Sequence, residues 1–159
     1  MFNHPWYSVI VIVHVLVAVI GFGALGLTGA YARLAHTSKE PFGSEALRRY
    51  FRPGYNRAAR MIYLVPVTGA IARVVSGETH KLYPYLGIGI WILAMGVATG
   101  MMWPNEVKIQ RLVSEGRQDG AERGDREALL IAAQRCERAA MITTLLAICA
   151  FAVMIAQPS

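Results

Sequence analysis

Residues 8–32 read SVIVIVHVLVAVIGFGALGLTGAYA, and this stretch decides the fold class. It runs 25 residues, Ser8 to Ala32, without a Lys, Arg, Asp or Glu. A helix of that length is roughly 37 Å long, more than the ~30 Å hydrocarbon core of a bilayer. A cleaved signal peptide is not expected here. No basic residue precedes the run, and it exceeds the 7–15 apolar residues of a signal core. The expectation is a retained membrane helix over residues 7–34.

Working outward, three more runs fit a span. A weaker one covers residues 56–76, where only Met61 to Ala72 separate Arg60 from Arg73, so both arginines must reach for opposite headgroup layers. Pro66 should disturb it, with neighbouring helices satisfying the freed backbone. The third is charge-free from Pro84 to Trp103 and continues past Pro104 as a polar helical pattern, giving 84–115. The fourth covers 126–156, about 46 Å of helix, longer than a bilayer requires. Residues 116–124 carry three glycines and read as a turn, so the third and fourth helices should project from the membrane as a hairpin. The chain is therefore expected to be all-α: one domain over 1–159, four transmembrane helices in an up-down bundle.

Charge placement sets an orientation and excludes a class. Arg33, Lys39, Arg48, Arg49, Arg52, Arg57 and Arg60 fall in the first connection. Lys108, Arg111, Arg117, Arg123, Arg126, Arg135 and Arg138 fall in the third, so only Arg73 and Lys81 of the 16 basic residues lie elsewhere. The positive-inside rule puts both termini outside and these two connections on the cytoplasmic side. The net charge of +6 thus belongs to membrane-flanking segments. It does not form the basic, aromatic-interleaved face of a nucleic-acid binder. Cys136 and Cys149 are about 20 Å apart along one helix and cannot bridge.

Small residues form the most conspicuous pattern. Gly21, Gly23, Gly26 and Gly29 crowd the first helix, Gly96 and Gly100 form a G-x-x-x-G in the third, and Ala139, Thr143 and Ala147 make a ladder in the fourth. Such positions let helix backbones approach closely where water supplies no hydrophobic drive. Gly21 to Gly26 also fits G-x-G-x-x-G, but no strand precedes it and no βαβ unit surrounds it, so it is not a dinucleotide loop. In the first connection Ser44 can cap a short helix over 44–52. Leu47, Tyr50 and Phe51 share one face of it, and Arg48, Arg49 and Arg52 supply charge. It should lie on anionic lipid headgroups together with Arg60, or fold its apolar face against the protein.

His14 is the one ionisable group within the first span. An interhelical hydrogen bond, a proton role, or axial ligation of haem b are its candidate uses. His4 and His80 could meet at the outer end, but two histidines without carboxylates make a poor metal site. No catalytic constellation is apparent.

The segments VIVHVLVAVIGFGALGLTGAYARL (11–34), RAARMIYLVPVTG (57–69) and WPNEVKIQRLV (103–113) resemble those of small bacterial four-helix integral membrane proteins of unknown function. More distantly they resemble the copper-resistance-D and membrane protoporphyrinogen-oxidase families. That second resemblance implies a histidine in the first helix, here His14, with haem chemistry. The Ala-, Arg-, Val- and Gly-rich composition looks actinobacterial. By analogy with that group, the expectation is an accessory subunit docked to other integral membrane subunits. The assembly would be a lipid importer of the mammalian-cell-entry type or, second, a respiratory complex.

Overall fold

The computed structural model describes residues 5–54, 56–77, 81–115 and 123–156. His4, His80 and most of the turn at 116–124 lie outside the described residues. Every regular element among the described residues is helical: α1 (Pro5–Thr37), α2 (Glu45–Tyr50), α3 (Leu64–Ser76), α4 (Tyr83–Val97), α5 (Trp103–Glu115) and α6 (Arg123–Ala156). A 3-10 segment, Arg57–Tyr63, leads into α3, and a π segment, Ala98–Met102, joins α4 to α5. Four stretches are long and apolar enough to cross a membrane: Trp6–Thr37, Arg57–Ser76, Tyr83–Glu115 and Gly124–Ala156.

Pro66 and Pro104, interior to their spans, each leave a local signature. Pro66 has no N–H for the carbonyl four residues back, which belongs to Ile62. The chain answers by running as 3-10 helix up to Tyr63, which puts Pro66 in the first turn of α3, where a missing N–H is tolerated. The Trp91 indole N–H donates to the Ile62 carbonyl at 2.9 Å, so the freed acceptor is satisfied from a neighbouring helix. Pro104 would clash with the carbonyl of Gly100. The backbone widens into the π turn just before it, and Trp103 N–H bonds Ala98 O. The helix therefore does not stop at Pro104.

α1 and α6 form the central pair and run antiparallel. Gly29 meets Ala140 and Gly26 meets Thr144, while Arg33 and His36 reach Glu137, at 3.8 and 2.5 Å. The 3-10 segment and α3 cover one side of α1, and α4 and α5 lie along α6. Gly21 permits the first of these contacts: a Cβ there would sit 2.8 Å from the backbone nitrogen of Ile62. The chain turns between α2 and the 3-10 segment at Gly54, whose φ of 81° suits a residue without a Cβ.

The side chains are distributed as lipid would have them. Small residues line much of the interior: Ala18, Ala32, Ala35, Ala94, Ala98, Ala132, Ala133, Ala139 and Ala140 are all buried, beside the larger Leu25, Ile62, Met102, Ile109 and Leu129. Many large apolar side chains point outward, and Ile12, Leu16, Ile92, Leu93, Leu145 and Ile148 are more than half exposed. An apolar surface this extensive is untenable in water and ordinary in a bilayer.

Candidate functional site

His14, buried at 8% exposure, faces α3, where its Nδ1 lies 2.8 Å from Thr68 Oγ1. The Thr68 hydroxyl is also within reach of the carbonyls of Leu64 and Val65, at 2.9 and 3.1 Å. With the hydroxyl proton on a carbonyl, Nδ1–H is the donor to Thr68. Gly69 makes room: a Cβ there would stand 3.1 Å from the imidazole Cε1. The space beside the ring is about 30 Å³ and walled by Phe22, Trp91 and Phe151. That is room for about one water molecule. His14 thus ties α1 to α3.

The small-residue positions divide into two groups. Gly29 is closed by α6, with 2.4 Å between a hypothetical Cβ and Ala140 Cβ, and Gly21 by the 3-10 segment. Ala139, Thr143 and Ala147 are buried between helices. These five positions hold the bundle together and cannot also form a partner interface. Gly26 is intermediate: a Cβ there would stand 3.6 Å from Thr144 Oγ1. Gly23, Gly96 and Gly100 are exposed with open space where a Cβ would be, and so is Gly89. Gly89, Leu93, Gly96 and Gly100, at intervals of four, three and four, lie on one outward face.

The basic segment takes the second of its two expected arrangements, folded against the protein. Ser44 caps α2 by accepting the Leu47 N–H at 3.4 Å, and Arg48 pairs with Glu45 at 2.6 Å. Leu47, Tyr50 and Phe51, however, are buried in the protein core, at 4% exposure or less. The Tyr50 ring stacks on Tyr31 of α1, centroids 4.0 Å apart. The apolar face therefore packs on the bundle and does not enter lipid; α1 offers a matching surface that satisfies it first. Arg49, Arg52 and Arg60 remain exposed.

Behind α2 lies a polar network that motif reasoning passed over. Thr28 Oγ1 donates to Ala24 O at 3.0 Å and receives the amide of Asn56 at 2.7 Å. The Tyr50 hydroxyl sits 2.8 Å away and completes the threonine by donating. Burial, and secondarily the nearby Glu106, push the Tyr50 phenol up to about 12, the Thr28 bond opposing, so it stays protonated. Asn56 and Glu106 line one groove. Glu106 is 8% exposed, yet no described residue forms an ion pair with it. It opens into a groove of about 540 Å³ lined by Asn56, Arg57, Arg60, Tyr63 and Trp103. One signal could have found it. Met102, Glu106, Ile109 and Val113 fall at intervals of four, three and four on a buried stripe, with the carboxylate where an apolar side chain belongs.

The chain matches none of the protein-family models, the curated proteins or the solved structures with which it was compared, so its function has to be argued from these sites.

Proposed function

We propose that this chain is a non-enzymatic accessory subunit of a bacterial plasma-membrane complex. It is an up-down bundle of four transmembrane helices whose basic end lies in the cytoplasm and whose termini lie outside. The third span docks against a transmembrane helix of another integral membrane subunit.

The observation that carries this reading is the outward glycine face of α4 and the π segment. A Cβ added at Gly89, Gly96 or Gly100 would meet nothing within 4 Å beyond its own helix. A helical glycine is destabilising by about 1 kcal/mol relative to alanine. Three on one lipid-facing stripe weaken the helix unless another backbone lies close against them. An apolar helix is the partner that fits, because the neighbouring outward residues are Ile92 and Leu93. Arg49 and Arg52 add attraction for anionic headgroups at the basic end. Of the two settings suggested by composition, lipid import is our first choice and respiration the second. The polar groove at Glu106 supports the former, and the narrow space beside His14 gives haem no additional support.

The test is affinity purification of the tagged chain from native membranes in mild detergent. A second integral membrane protein should copurify and be lost in Gly96→Leu/Gly100→Leu, with helical content unchanged. Recovery as a monomer, or only as copies of itself, contradicts the proposal.

A further inference from the structure

We infer that the groove at Glu106 binds the phosphoethanolamine headgroup of a bilayer lipid, the ammonium on Glu106 and the phosphate on Arg57 and Arg60. The inference requires the bundle to lie in a membrane, but not the partner helix on α4.

A buried charge is stable only when hydrogen-bonded and paired. Glu106 lies beside Asn56 in the groove, and it has no cationic partner among the described residues. Its oxygens can accept about four hydrogen bonds, so the site is incomplete. A primary ammonium, with three N–H donors, completes it, whereas a quaternary ammonium has none to give. Two guanidinium groups, Arg57 and Arg60, are exposed and line the same groove. They suit a phosphate, which arginine holds through paired N–H donors.

Acid in the depth and base at the rim are the complement of a zwitterion. An anionic glycerol headgroup would satisfy the rim and leave Glu106 alone. Depth in the membrane agrees. Arg60 begins the second apolar run and Trp103 ends the third. Tyr63 and Trp103 touch with ring centroids 5.8 Å apart, the kind of aromatic pair that sits at headgroup level. The groove, about 540 Å³, is of small-ligand size.

The test is native mass spectrometry of the full chain, delipidated in detergent and titrated separately with phosphatidylethanolamine, phosphatidylcholine and phosphatidylglycerol. Phosphatidylethanolamine should bind about tenfold more tightly than the other two, the worth of one charge-assisted bond set. Glu106→Gln keeps the shape, and should erase that preference. Arg57→Gln/Arg60→Gln alters only exposed side chains, leaves the fold intact, and should weaken phosphatidylethanolamine and phosphatidylglycerol alike. Equal binding of all three lipids overturns the inference. So does stronger phosphatidylglycerol binding that Glu106→Gln improves, or full displacement of the lipid by equimolar soluble phosphoethanolamine. Loss of the copurifying partner in the pull-down would leave these results unchanged.

Discussion

Exchanging the small residues where α1 crosses α6 tests the packing of the bundle quantitatively. In Gly29→Ala the new Cβ would fall 2.4 Å from Ala140 Cβ. Ordinary carbon contacts lie at about 3.5–4.0 Å, so the helices must separate by more than about 1 Å at this crossing. Overpacking of this kind costs about 1–3 kcal/mol, and the better helix propensity of alanine returns about 1 kcal/mol. The expected net loss is up to ~2 kcal/mol. Ala140→Gly removes the atom that is struck, so the double variant should recover the clash as a coupling energy of about 1–3 kcal/mol. Gly96→Ala is the control, because nothing lies within 4 Å of that position in the isolated chain. Reversible unfolding in mixed micelles, followed by far-UV circular dichroism, measures all four proteins. The packing argument fails if Gly29→Ala is as stable as Gly96→Ala, or if the two changes at the crossing prove additive.

Three further outcomes follow from the same geometry. Trp91→Phe strips the donor from the carbonyl that Pro66 leaves free, and should lower stability in the same assay by about 1–3 kcal/mol. The Tyr50 phenol is held near 12 in the fold, against about 10 in an unfolded chain. The unfolded form therefore loses its proton first, and stability should fall as pH rises from about 10 toward 12. Tyr50→Phe should flatten that slope and remove one late-titrating phenolate from the ultraviolet absorbance change. Thr68→Val removes the acceptor of the His14 bond, and should lower stability by roughly 1 kcal/mol in micelles without altering helical content.

The spans were legible in the sequence because lipid burial needs only length and the absence of charge. The expected 7–34, 56–76, 84–115 and 126–156 correspond to Pro5–Thr37, the 3-10 segment with α3, the continuous Tyr83–Glu115 and Arg123–Ala156. Which face of each span points inward was not legible. α1 is apolar all round, and a glycine has no side chain to reveal a direction. Gly29 and Gly96 therefore look equivalent in sequence, although one is sealed by Ala140 and the other open. α2 was ambiguous for a different reason: lipid and protein both satisfy Leu47, Tyr50 and Phe51, and only the position of α1 decides between them. Glu106 was hidden by its neighbours. Lys108, Arg111 and Glu115 make the region read as a solvated surface, and the Arg111–Glu115 pair at 2.9 Å is one. The register of Glu106 with Met102, Ile109 and Val113 was the physical clue.

The central claim is that the open glycine face of the third span is covered in the native membrane by a helix of a different protein. A photo-crosslinking residue at Leu93, between Gly89 and Gly96 on that face, tests it in intact membranes. One at Ile12, exposed on α1, serves as the comparison. Position 93 should give a single heavier adduct with another integral membrane polypeptide, and position 12 lipid adducts alone. Lipid adducts alone from both positions, or a covalent dimer of this chain, would contradict it.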